Sequence, residues 1–471
     1  MLSARSAPGQ AAWRAKGLQQ LQARLQARRT IFPVIAAGAA LFVVGGVIKY
    51  GVRAYKRIQD EDAAAAGGGG EGGDATGSTG DGARSNLDSV ARVLGVDLGS
   101  TFSKIAVHDE ALKTFEVCES KEGRRSIPSA VYRHSPDEAL QTGSIARAAR
   151  FVKPSKTSWG FSNLLNDDKA TSVKIDGADY AVDDLCTSVA EGLLSAAQAK
   201  LGGDSAGAGA AGGGKRSVAI VAAPTLFSWQ ANERLLAAVR KAGLDVVGTI
   251  PDGIASIIGS ARVLGSSRGG AVGSDGGTPV TVAVVDVGGT LTQLCLVTVD
   301  GPTYTLVNAV SLDVGGESFD ALIATHLATE FAKANGGLDL LRDTQAKQRV
   351  MDAAEAAKHD LSTSKSTEVK IPFISASPKG GPLHLNVTLS RAVLDRLLAE
   401  PVSRIKADFK DLLYKGGATA PLKSVLLVGG GARMPCFGAL VREVTGGLDP
   451  VMVPAPEEVA SIGAAAALGQ M

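Results

Sequence analysis

Two stretches of this chain, nearly two hundred residues apart, repeat one unit. The first, Val93 to Asp109, reads VLGVDLGSTFSKIAVHD. Val93 to Val96 reads as a strand, Asp97 and Gly99 lead into the hydroxyl pair Ser100-Thr101, and Ser103 to His108 reads as a second strand. The second, Thr281 to Asp300, reads TVAVVDVGGTLTQLCLVTVD, with Asp286 before Gly288-Gly289-Thr290. A third strand is expected after each copy, at Thr114 to Cys118 and at Tyr304 to Val310. Glycine lets a phosphate approach the backbone, free N–H groups and hydroxyls donate to it, and an aspartate can hold a divalent cation through water. One copy alone equally fits a tight hairpin with an Asp in its turn. The repetition argues for two similar lobes whose turns face one cleft and hold a polyphosphate from both sides.

The rest of the chain has room for two such lobes. It has 471 residues, 45% of them hydrophobic, enough to split into two domains rather than keep one core. Aromatics make up only 4%, too few for base-stacking platforms. The ten Lys and Arg residues of Met1 to Gln59 meet no Asp or Glu, which leaves 39 basic against 47 acidic residues beyond. A mildly acidic body argues against nucleic acid as a partner.

Residues 1–30 are Arg-rich and acid-free, with Leu18, Leu21 and Leu25 on one helical face. That pattern fits an organelle transit peptide or a basic cytosolic tail. Ile31 to Ile48 carries no charge and is bounded by Lys49, Arg53, Lys56 and Arg57. It predicts a transmembrane anchor over residues 31–50, with a core helix as the alternative. Six basic residues before it and four after it tilt the N-terminus weakly towards the inside. Residues 51–90 form a Gly/Ala-rich tether. Gly202 to Gly214 and Gly265 to Gly277 read as surface insertions.

Further along, Val218 to Ala223 predicts a strand, followed by a helix capped at Ser228 and stopped at Gly243. Leu244 to Asp252 reads as strand then loop. Val350, Ala354, Ala357 and Leu361 recur at helical spacing and predict one core face. Glu355, Lys358, His359 and Ser362 make the adjacent polar face, for which plain solvation is the default. Ser424 to Val428 predicts a strand before Gly429-Gly430-Gly431-Ala432-Arg433, where a flat ligand can press on the backbone. Glu457 to Met471 predicts a tightly packed helix. Cys118, Cys186, Cys295 and Cys436 lack metal spacing and read as buried free thiols.

These motifs, with SIPSAV (Ser126 to Val131), DVGGESFD (Asp313 to Asp320), AAEAAKHDLS (Ala353 to Ser362), LLVGGGARMP (Leu426 to Pro435) and PEEVASIGAAAA, stand in a fixed order. That order resembles the nucleotide-binding domain of the heat shock protein 70 chaperones, from Val93 to Met471. The resemblance implies an α/β, actin-like, two-lobed ATPase fold of duplicated ribonuclease-H-like domains. The lobes would span about 91–278 and 279–471, preceded here by the transmembrane helix. It implies ATP or ADP with Mg2+ in the central cleft. Asp97 and Asp286 are then the carboxylates around the magnesium waters, with Asp252 as a third catalytic position. Gly99, Ser100 and Thr101 form one phosphate loop and Gly288 and Gly289 the other, with Gly315 and Gly316 nearby. Glu355, Lys358, His359, Ser362, Gly429, Gly430 and Arg433 hold the adenosine, and Glu457 stands for a family aspartate.

The chain departs from the family in its hydrolytic half. The catalytic lysine position is Ser162, the glutamate before a proline is Asp252 before Gly253, and the second aspartate of the second loop is Gln293. Thr290 stands at the loop's third glycine, or at its threonine if one residue is gapped. The chain stops at Met471, where the family's peptide-binding domain would begin. One function class is therefore a membrane-anchored, ATP-binding chaperone-like protein with weak or lost hydrolysis, whose partners are co-chaperones, nucleotide-exchange factors or a membrane complex. Another is a pseudo-ATPase structural subunit, and a third a sugar or acetate kinase. The expected location is a mitochondrial membrane, with the endoplasmic reticulum as alternative.

Overall fold

The computed structural model describes residues 90–109, 114–201, 216–268, 270, 272–273, 278–377 and 380–467, all within one compact unit. The first sheet contains β1 (Val90–Leu98), β2 (Phe102–Asp109), β3 (Thr114–Val117), β4 (Arg216–Ala223) and β5 (Val246–Pro251) in the order β5-β4-β1-β2-β3, with Ile127–Pro128 beside β2. The second contains β6 (Val280–Val287), β7 (Thr292–Asp300), β8 (Thr303–Leu312), β9 (Leu422–Val428) and β10 (Val451–Met452) in the order β8-β7-β6-β9-β10. In each, an antiparallel meander of three strands is extended by two parallel strands. The repeat read from two short motifs thus extends to whole sheets, a mixed α/β architecture consistent with an actin-like ATPase. Parallel neighbours need crossovers, and the intervening helices supply them. Most of β6 is buried, as a central strand covered on both faces must be.

The repeat reaches the register. Asp97 on β1 sits opposite Lys104 on β2, and Asp286 on β6 sits opposite Gln293 on β7. Each pair sits one rung in from the turn, behind Leu98 opposite Ser103 and Val287 opposite Thr292.

The helices needed below are α1 (Gly143–Val152), α2 (Trp229–Lys241), α3 (Asp252–Arg268), α4 (Gly316–Ala334), α5 (Thr344–Thr363) and α6 (Val459–Ala466). Ser228 caps α2 by accepting from the Ala231 N–H at 3.1 Å, and Gly243, at φ +97°, follows its end. Asp343 caps α5 through the Ala346 N–H at 2.7 Å. Val350, Ala354, Ala357 and Leu361 are buried, as the spacing of α5 predicts.

The last helix packs on the first sheet. By chain order α6 belongs to the second lobe, but it packs on β1 and β2 and crosses α3. A Cβ on Gly95 would fall 1.9 Å from the Ser461 carbonyl, one on Gly463 1.7 Å from the Ala255 carbonyl, and one on Gly259 2.0 Å from the Val459 carbonyl. Backbone meets backbone there, which only glycine permits. Ile220, Ile254, Ile258, Val282, Val284 and Val459 share one core between the sheets, so the two sheets are joined through α3 and α6.

Cys118, Cys186 and Cys295 are buried and Cys436 half-buried, all as free thiols. Burial pushes Cys118 up to about 11 and Cys186 up to about 12, so neither is a ready nucleophile. Residues 1–89, with the transit-like segment, the Ile31–Ile48 run and nearly all of the tether, lie outside the described residues, as do Gly202 to Gly214 and much of Gly265 to Gly277. Among the described residues no helix is long and apolar enough to cross a membrane.

Candidate functional site

The two hairpin turns meet face to face. The Ser100 and Thr290 hydroxyls are hydrogen-bonded at 2.7 Å, and Asn163 Nδ2 donates to Thr290 Oγ1 at 2.7 Å. Thr101 Oγ1 donates to Glu317 Oε1 at 3.0 Å. A Cβ on Gly289 would fall 2.0 Å from Thr101 Oγ1, so this glycine sets how closely the turns approach. The start of α4 locks on from one side. Gly316 N–H donates to the Gly288 carbonyl at 3.0 Å and Glu317 N–H to the Gly289 carbonyl at 2.7 Å. A Cβ on Gly315 would lie 2.7 Å from the Gly289 carbonyl. Ser162 is buried in the short helix Phe161–Asn166, next to Asn163. Asn163 brings an amide donor to the second turn, and no motif marks it.

Beneath the turns lie the carboxylates. Asp252 begins α3. Its Oδ1 accepts from the Thr225 N–H at 3.0 Å, the Thr225 hydroxyl and the Gly253 N–H at 2.7 Å. Its Oδ2 accepts from Gln293 Nε2 at 2.6 Å. Both oxygens are thus held by the protein. Gly253, at the family's proline position, is required here because a Cβ would fall 2.5 Å from Cys295 Sγ. Burial pushes Asp252 up to about 6, against the hydrogen bonds from Thr225 and Gln293. Burial, then the charges of Asp252 and Asp97, push Asp286 up to about 7. Asp97 pairs with the Lys104 ammonium at 3.3 Å. Neither Thr225 nor Lys104 carries a motif signal. A threonine after a strand and a lysine within one both read as ordinary surface residues.

The positions expected to hold adenosine are engaged with one another. Glu355 on α5 pairs with Arg147 on α1 at 2.5 Å. Burial raises the Glu355 carboxyl, but the Arg147 charge and hydrogen bond outweigh it and leave the pKa lowered. Arg147 also lies over the Phe102 ring at 4.8 Å. Lys358 is buried; it bonds Asp320 at 2.8 Å and the Gly316 carbonyl at 3.0 Å, and so ties α5 to α4. Ser362 Oγ donates to the Lys358 carbonyl at 3.1 Å. His359 is exposed. On the opposite wall, Gly429 has φ +80° and its Cβ would fall 2.4 Å from Asp286 Oδ1. A Cβ on Gly430 would meet nothing within 4 Å, so the backbone there is open to a ligand. Arg433 grips Glu457 through both carboxylate oxygens, at 2.8 and 2.9 Å.

This donor set fits a magnesium nucleotide in part. Backbone turns rich in glycine, hydroxyls and hard carboxylate oxygens suit phosphate and a hydrated Mg2+, which keeps several waters and takes few protein ligands. Among the described residues no three His, Cys, Asp or Glu side chains converge to hold a metal directly.

Two sheets of matching order, whose hairpin turns meet at Ser100 and Thr290, define a mixed α/β architecture consistent with the actin-like ATPase class. A family model described as Hsp70 protein matches residues 93–469. The chaperone protein DnaK of Deinococcus proteolyticus is 31% identical over 403 residues, covering 81% of this chain and 59% of that protein. The DnaK of Prochlorococcus marinus is 31% identical over 392 residues, covering 80% and 58%. The chain belongs to the Hsp70 family. It spans about three-fifths of the length of these curated relatives.

Proposed function

We propose that the chain is an adenine-nucleotide-binding member of the Hsp70 family, anchored to an organelle membrane, that holds ATP without turning it over efficiently. The supporting observation is the state of Asp252. Both of its oxygens are already engaged, by Thr225, Gly253 and Gln293, which leaves the carboxylate little freedom to orient an attacking water. The Ser100, Thr101 and Thr290 hydroxyls and the Gly430 backbone bind and position nucleotide. Asp97 and Asp286 would hold Mg2+ through water. The ion, when bound, neutralises phosphate charge. With Ser162 at the family's lysine position, the side chain there carries no positive charge to meet charge developing on the γ-phosphate.

The anchor rests on the uncharged Ile31 to Ile48 run and its basic flanks, and the mitochondrion on the Arg-rich, acid-free leader. Nucleotide state would be read by a co-chaperone, an exchange factor or a membrane complex. Engagement of Asp252 also favours a second reading, a pseudo-ATPase subunit kept for its surface. Calorimetry of the full chain with ADP and Mg2+ separates the two. Saturable binding supports the first, and no heat at millimolar ADP supports the second. Carbonate extraction tests the anchor: release of the intact chain into the supernatant ends that idea.

A further inference from the structure

Lys104 is a buried ammonium that the nucleotide reading does not use. It is 8% exposed. Its Nζ lies 3.3 Å from Asp97 Oδ2 and 3.4 Å from the Phe102 carbonyl. The equivalent rung of the second sheet places neutral Gln293 opposite Asp286, so the two halves differ by one full charge at matching positions. An ammonium taken this far out of water persists only where negative charge compensates it. Here Asp97 touches it, and its charge bears on Asp286 of the second sheet, while Glu458 has its own cation in Arg125 at 3.3 Å. Asp252 and Asp97 in turn bear on Asp286. A cluster of carboxylates facing a cleft repels a polyphosphate unless a cation sits among them. A lysine is a compact point charge on a flexible stem, suited to that place. Being covalently attached, it needs no ion from solution and no chelator removes it.

We propose that Lys104 is a tethered cation, which supplies beside Asp97 and Asp286 the positive charge that a bound ion would otherwise bring, and so loosens the dependence of nucleotide binding on a divalent metal. The second half of this inference rests on the nucleotide-binding reading; the first half does not. The test uses the full chain in two arms. In the first, nucleotide-free protein is titrated with Mn2+, followed by the paramagnetic resonance of the free ion. The wild type should take up little Mn2+ below about 1 mM, and Lys104→Met should bind it at least about tenfold more tightly. Lys104→Arg, which keeps the charge, should follow the wild type. In the second, ADP is titrated in excess Mg2+ and in EDTA. Chelation should change the wild-type affinity less than about threefold and lower that of Lys104→Met at least about tenfold. Equal Mn2+ binding by wild type and Lys104→Met overturns the proposal. So does a wild type that loses ADP on chelation by about tenfold or more, an outcome that needs no variant to fold. If wild type gives no ADP heat in either buffer, the nucleotide reading falls, while the Mn2+ arm still decides whether Lys104 acts as a cation.

Discussion

Gln293 Nε2 lies 2.6 Å from Asp252 Oδ2, and this one bond ties the hairpin of the second sheet to the first turn of α3. Read as sequence, Gln293 is a lost carboxylate. In the structure its amide is a donor to a buried carboxylate, and a carboxylate in its place would bring two like charges together. Gln293→Asp should therefore destabilise the fold by about 1–3 kcal/mol, the cost of removing a partner from a buried polar group. Mg2+ should recover part of the loss. Urea unfolding with and without Mg2+ measures both; an unchanged midpoint would show that the amide contributes nothing.

Arg147 on α1 and Glu355 on α5 pair at 2.5 Å, beside the positions proposed to hold adenosine. Nucleotide leaving between α1 and α5 must break or bypass this charge-assisted bond. Arg147→Ala should speed release of a fluorescent ADP analogue by roughly tenfold, on the basis of about 1–2 kcal/mol for a partly buried charged hydrogen bond. Stopped-flow displacement reads the rate directly. An unchanged rate would place the exit path elsewhere.

The second turn depends on Gly315, whose φ of −162° any residue can adopt. Space is the constraint, since a Cβ would sit 2.7 Å from the Gly289 carbonyl and 2.8 Å from that of Gly288. Gly315→Ala should push the loop off the start of α4, lower ADP affinity at least about tenfold, and cost about 1–3 kcal/mol from overpacking. Calorimetry and thermal unfolding measure the two effects. Unchanged ADP affinity would mean that this loop does not touch the nucleotide.

The buried carboxylates predict an unusual pH dependence. Asp252 and Asp286 have an ordinary value of 3.8 and are pushed up to about 6 and about 7 by burial first, and for Asp286 by neighbouring charges next. In that window the folded chain holds protons that the unfolded chain has lost. Their contribution to stability is complete below the ordinary value and is lost as pH rises through the folded values. The wild type should therefore lose stability relative to Asp286→Asn between about pH 4 and about pH 7. Urea midpoints of both proteins across that range test the sign. A difference that moves the other way would mean that the ionised carboxylates are stabilised.

Much of this architecture is legible in the sequence, for identifiable reasons. Strand–Asp–glycine turn–strand survives as a local pattern because each hairpin closes within about twenty residues. The α5 core face is visible because burial there has helical period. The capping of α2 at Ser228 is a local hydrogen bond. What is not legible depends on partners far away in sequence. Lys104 looks like a solvated strand residue until Asp97 is set opposite it. Arg147 has no motif, and its role arises only because α1 faces α5. Lys358 carries the family's adenosine motif, yet its ammonium is bonded to Asp320. α6 joins the first sheet although it comes last in the chain, because Gly95, Gly259 and Gly463 let three backbones touch. Chain order alone cannot reveal that.

The most direct test of the central claim is a single-turnover experiment. The full chain, in excess over labelled ATP and with Mg2+, is sampled over time for nucleotide retained on the protein and for conversion to ADP, beside Asp97→Asn as a contamination control. Retained ATP should stay intact, with conversion at least about a hundredfold slower than in a full DnaK run in parallel, the order expected when one well-placed electrostatic contact is missing. Conversion at the DnaK rate that disappears in Asp97→Asn, or no retained nucleotide at all, would contradict the account.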